Sequence, residues 1–162
     1  MSARFSQSHG IIPLVIDGDW NAGFTSDTIN MANYNHCTII MTGDSSVATN
    51  GVITVYASDA DGDTDAAVTF TYRYAGGNVS ATLSDVYTTP ATSAALTATA
   101  ADLDDRTFLI EIDAEDMNVS GTQYNFLNVV VDASGSAGTV TMVAILSEPR
   151  YQKDIMPTAN PI

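Results

Sequence analysis

The chain has 162 residues and a mass of 17.0 kDa, and its nineteen acidic residues outweigh five basic ones, giving a formal net charge of −14 and a pI near 4.1. Arg4, Arg73, Arg106, Arg150 and Lys153 are scattered, and without a clustered basic stripe such a chain is repelled by phosphate backbones and anionic bilayers, so no nucleic-acid or membrane partner is expected. Cys37 alone closes no internal disulfide, no run reaches the roughly 20 apolar residues of a bilayer span, and a hydrophobic content of 45% is that of a globular domain rather than a disordered chain.

In chain order, residues 1–10 are polar and read as an N-terminal arm, 11–147 as the folded body and 148–162 as a C-terminal tail. Residues 11–16 form a first apolar strand in which Pro13 marks an edge or a bulge. The run is too short and too poorly flanked for a signal peptide. A turn-rich connection carries Trp20, the one tryptophan, and residues 28–31 form a short strand. Residues 38–42 predict an interior strand. Asn50-Gly51 is a turn signal before a strand over 52–58. Val68, Phe70, Tyr72 and Tyr74 alternate with Thr69, Thr71 and Arg73, the period-two signature of a half-buried strand. Residues 80–87 predict another strand, and at 91–102 helix and strand compete. Phe108, Ile110 and Ile112 share a face of the next strand, and 114–121 reads as a turn or a single helical turn. The last two strands, 123–132 and 139–147, are expected to pair as a hairpin across the small-residue loop between them. From Glu148 onward, Pro149, Pro157 and Pro161 interrupt any pattern. About eight strands without a sustained 3.6-residue period predict an all-β fold, an antiparallel β-sandwich of the jelly-roll kind with extended arms at both ends.

The sharpest chemical motif is Asp59-Ala60-Asp61-Gly62-Asp63-Thr64-Asp65. Alternate carboxylates around a glycine turn offer Ca²⁺ the hard oxygen ligands it takes. Asp59, Asp61, Asp63 and Asp65 are therefore the candidate metal ligands. The motif departs from an EF-hand, because Gly62 stands fourth and the twelfth position is Phe70. A solvated acidic turn explains the same residues, since Asp and Gly favour turns. No other cofactor is indicated. The acidic residues from Asp102 to Asp116 could supply a glycosidase pair, but solvated turns and the outer face of a strand account for them. His36 and Cys37 are neighbours in an extended segment and point to opposite faces, so no Cys/His nucleophile forms and no enzyme is expected. Seven tyrosines with Trp20 could stack on sugars or fill a core and an interface.

A series of segments along the chain then carries a likeness. Ile16-Asp17-Gly18, Ser26-Asp27-Thr28 and Asn33 to Ile40 open a pattern that continues through Gly51 to Ser58, Ala67 to Tyr72 and Phe108 to Ala114, and closes on Ser147-Glu148-Pro149-Arg150-Tyr151. In rhythm and residue type it resembles small virion proteins of tailed bacteriophages, of the capsid decoration or cement type, over residues 11–153. The resemblance implies a structural protein made in the host cytoplasm and placed on the capsid exterior. Its partners would be the major capsid protein and further copies of the chain, often as trimers. Arms are kept where binding offsets an ordering cost of about 1–2 kcal/mol per residue, so Arg4 and Phe5 at one end and Arg150, Tyr151 and Lys153 at the other are the candidate interface residues, Arg and Tyr being enriched at interface hot spots. A carbohydrate- or receptor-binding module on a phage appendage, or a tail tube or connector subunit, would use the same β chemistry.

Overall fold

The computed structural model describes residues 5–44, 47, 49–78, 82–135 and 137–150. Among the described residues two four-residue helices, α1 (Phe5–Ser8) before the first strand and α2 (Ala100–Leu103) within the chain, accompany a fold that is otherwise strand and turn. The strands are β1 (Gly10–Asp19), β2 (Phe24–Thr25), β3 (Ile29–Asn30), β4 (Tyr34–Gly43), β5 (Gly51–Ser58), β6 (Ala66–Val68), β7 (Phe70–Tyr74), β8 (Ala91–Ser93), β9 (Leu96–Ala98), β10 (Thr107–Asp113), β11 (Asn118–Val119), β12 (Thr122–Gln123), β13 (Phe126–Val131) and β14 (Thr139–Pro149). No described helix is long and apolar enough to cross a membrane.

The first sheet runs β1-β14-β4-β10-β7-β8 and the second β2-β13-β5-β6, with β3 also on β13 and β9 also on β5. All pairings are antiparallel. Counting β2 with β3 and β6 with β9 as single interrupted strands, and setting aside β7–β8 and β11–β12, leaves an eight-stranded jelly roll in which the chain steps between the sheets. The predicted all-β sandwich is the fold. The strands beyond eight are fragments of edge strands, the β7–β8 extension and the small β11–β12 hairpin. Val68 is the last residue of β6 in the second sheet and Phe70 the first of β7 in the other, so one alternating segment bridges both layers.

The cores of β4, β10 and β14 are set by alternation. Ala144, Ile39 and Ile110 lie opposite one another, as do Met142, Met41 and Phe108, and all are buried. Leu127, Val129 and Val131 of β13 with Ile53, Val55 and Ala57 of β5 supply the facing layer. Each large side chain buried this way contributes about 1.5–3 kcal/mol relative to exposure. Tyr72 and Tyr74 turn inward onto Phe108, with ring centroids 5.8 and 6.5 Å away. Trp20 is fully buried near one end of the sandwich and its Nε1–H donates to the Thr49 carbonyl at 3.0 Å.

Several expectations change. The final two strands are not a hairpin: β13 belongs to the second sheet and β14 to the first, so the connection crosses between layers. Asn50-Gly51 does lead into a strand, β5, and the connection from β4 crosses to the other sheet. Of the strand expected over 80–87, residues 80 and 81 lie outside the described residues, 82–85 form turns, and Tyr87 makes an isolated bridge to Ala75. The contested segment divides into β8, β9 and α2. Residues 5–8 of the expected extended arm form a helical turn, and β14 carries the body to Pro149. Pro13 does sit on an edge strand, beside a register shift between Pro13 and Val15.

Candidate functional site

The acidic loop connects β5 to β6. Asp59, Asp63 and Asp65 each bring a carboxylate oxygen to within 4.8 Å of the others, and all three are exposed. Asp61, expected among the ligands, is not in this group. Backbone chemistry holds the shape. Gly62 has φ +83°, a left-handed conformation that glycine adopts without strain, and its N–H donates to Thr28 Oγ1 at 3.0 Å. The Asp59 N–H donates to Asp65 Oδ2 at 3.2 Å, and the Asp65 N–H to the Ala57 carbonyl at 3.2 Å. Ser58 Oγ donates to the Ala60 carbonyl at 2.7 Å. Three carboxylates are about half of the 6–8 oxygens that Ca²⁺ takes, so waters or carbonyls would complete a shell here.

Of the five candidate interface residues, Arg4, Tyr151 and Lys153 lie outside the described residues. Phe5 is exposed at 53% and stacks on the His9 ring at 4.1 Å. Arg150 is fixed where β14 ends: its N–H donates to the Asn33 carbonyl at 2.9 Å and its Nε to Asn35 Oδ1 at 2.9 Å. Gly10 pairs with Leu146, so Phe5 and Arg150 approach the same end of the first sheet.

One constellation has no local sequence signal. His36 on β4 stands between Asp113 on β10 and Ser147 on β14. Its Nδ1 lies 2.6 Å from Asp113 Oδ1, and its Nε2 lies 3.1 Å from Thr38 Oγ1. The hydroxyl–imidazole–carboxylate order is that of a nucleophilic relay. It lies, however, on the flat outer face of a central strand whose amides are engaged in the β10 and β14 ladders, so no oxyanion donors face it. Cys37 points the other way, fully buried, and burial pushes its thiol up to about 12. The neighbouring pair is thus split between faces, as the period of two requires.

The remaining candidates disperse. Trp20 and Tyr34 are buried and unavailable for stacking on a sugar. The acidic residues around β10 are spread along it: Asp102 lies in α2, Asp104 and Asp105 follow it, and Asp113 lies at the far end of the strand on His36. A polar cleft of about 250 Å³ is lined, among the described residues, by Gly77, Ser84, Asp105 and Thr107, of which Asp105 alone is a carboxylate.

Neither a protein-family model nor a curated protein sequence matches the chain. Among solved structures, the crystal structure of the SPBc2 prophage-derived protein YomS aligns with a TM-score of 0.52 at 14% identity, covering 85% of this chain and 91% of that one. At this identity the likeness concerns the fold, and it runs through nearly the whole body. A structure of infectious bursal disease virus, Gt strain, aligns with a TM-score of only 0.25 at 14% identity, over 88% of this chain and 36% of that one, and carries no argument.

Proposed function

We propose that this chain is a non-enzymatic structural protein of a tailed-phage particle, a decoration or cement protein that binds the outer surface of the head and bridges major capsid subunits. The observation that carries the reading is the shared body: one jelly roll, matched over 85% of its length by a prophage-derived protein. The chemistry of the site agrees. The one relay-like trio lies on an open sheet face without oxyanion donors, while both described chain ends meet at one end of the first sheet. The reading makes the major capsid protein and further copies of the chain its partners, and the capsid exterior its place. Binding would be the sum of many modest contacts repeated at high copy number, with Phe5 and Arg150 at the rim.

The test is the copy number of the chain in purified particles, relative to the major capsid protein, by quantitative mass spectrometry. A ratio near one to one supports decoration of the head lattice. A few to a few dozen copies moves the protein to a vertex, connector or fibre, and absence from particles overturns the virion reading. The second reading, a Ca²⁺-assisted glycan- or receptor-binding module, is favoured by the Asp59, Asp63 and Asp65 cluster. It requires a glycan that binds with Ca²⁺ and is released by EDTA.

A further inference from the structure

The outward face of the first sheet is built unlike a solvated one. Residues opposite one another on neighbouring antiparallel strands put their side chains on the same face. Pro13, Val143, Ile40 and Leu109 stand in register across β1, β14, β4 and β10, and Ile11 stands opposite Ile145 beside them. They alternate with the buried Ile12, Met142, Ala144, Ile39 and Ile110, so all six point away from the core. A sheet with one wet face reads apolar inward and polar outward. Here one row across four adjacent strands, Pro13 to Leu109, is apolar on the outer face as well, widened by Ile11 and Ile145 on β1 and β14 and bordered by Thr38 and Glu111 on one side and Thr42 and Thr141 on the other. Ile11 and Pro13 are exposed, and the other four remain part-exposed after folding.

Charges flank this stripe in a telling way. The residue opposite Leu109 on β7 is Arg73, whose Nε is buried without a hydrogen-bond partner. Glu111 stands two residues along β10 from Leu109, and neither it nor Arg73 is in an ion pair among the described residues. The acidic turns at 59–65, 102–105 and 115–116 lie off these four strands, whose own carboxylates are Asp17 and Asp19 at one end of β1, Glu148 at the end of β14, Asp113 on His36 and Glu111.

We infer that this face is the contact between two copies of the chain. A two-fold contact must be self-complementary. The stripe provides an apolar centre, and the part-exposed Arg73 and Glu111 beside it are placed to pair with their opposite numbers on the other copy. A chain of net charge −14 meets itself with least repulsion where its acidic turns are absent. The six-stranded face, about 24 Å across at about 4.8 Å between strands and about 34 Å long where β1, β4 and β14 run ten or eleven residues, is at its fullest comparable with the ~800 Å² per partner of a stable dimer. The β1 edge is the poorer route, since Pro13 and two register shifts disrupt a template for strand addition. The contact is a property of the protein in solution, so its failure leaves the particle role untouched and the reverse also holds.

The test is the mass of the full chain in solution by light scattering and sedimentation equilibrium, for wild type, Ile11→Glu, Val143→Glu, Arg73→Glu and the swap Arg73→Glu with Glu111→Arg. The wild type is expected as a dimer. Ile11→Glu, already exposed and harmless to folding, weakens it at least tenfold, as does Val143→Glu, with an unchanged far-ultraviolet circular dichroism spectrum. Arg73→Glu weakens it and the swap restores it. A monomeric wild type, another stoichiometry, or a dimer whose mass Ile11→Glu and the Arg73 variants leave unchanged overturns the proposal.

Discussion

Gly51 shows how a single residue can be misread for the right reason. Asn-Gly signals a turn because glycine tolerates positive φ, yet Gly51 has no positive φ and opens β5. It is glycine because a Cβ there would lie 2.4 Å from Cζ2 of the buried Trp20. Gly51→Ala should therefore cost about 1–3 kcal/mol by overpacking, read as a lower urea midpoint with an unchanged slope. Cys37 makes a prediction in pH. Its folded thiol is raised to about 12, above an unfolded value near 8.5. The neutral form is the one the fold keeps, so its contribution is complete below about pH 8.5 and is lost as pH rises toward 12, at about 1.4 kcal/mol per unit. Wild-type stability should fall more steeply above pH 9 than that of Cys37→Ala, by one proton's slope in urea titrations. An equal slope would place the thiol in contact with water. At the acidic loop, millimolar Ca²⁺ should raise the melting temperature over EDTA if the cluster is a site, because a ligand of the native state stabilises it, and Asp63→Asn should remove the rise. The same melting temperature in both buffers would make the loop a solvated turn.

At the scale of elements, alternation was readable and partnership was not. The inward Val68, Phe70, Tyr72 and Tyr74 follow directly from period two, and the edge position of β1 follows from Pro13. The pairing of 123–132 with 139–147 as a hairpin failed because jelly-roll strands change sheets at their loops. A short polar connection looks the same whether it turns back or crosses. The 80–87 segment failed for another reason: its apolar Leu83 and Val86 are exposed, at 54% and 52%, so apolar residues alone made no strand. The acidic loop was legible because its ligands are contiguous, whereas His36 and Asp113 are 77 residues apart and meet only through the β4–β10 register. These pairings also order local stability. β4 is laddered on both sides, to β14 and to β10, while α1 is one turn and β11–β12 holds two residue pairs. Amide exchange should open β4 only at the global unfolding free energy and α1 and β11–β12 far below it. Equal protection throughout would contradict this hierarchy.

For the whole molecule, charge acts with opposite signs on folding and on docking. Nineteen acidic residues against five basic ones make the folded state repel itself. Compaction brings those charges together and salt screens them, the Debye length falling from about 30 Å at 0.01 M to about 3 Å at 1 M. Melting temperature should rise with sodium chloride over that range. Under the proposed decoration role, attachment to a shell should respond the other way. A surface of this charge is attracted to basic patches on its target, and that attraction is screened by the same salt. Particles washed at rising ionic strength should therefore release the protein under conditions where the free protein is more stable. Release that tracked unfolding would tie occupancy to the fold alone, whereas occupancy indifferent to salt would mean that apolar burial, not charge, holds the protein in place.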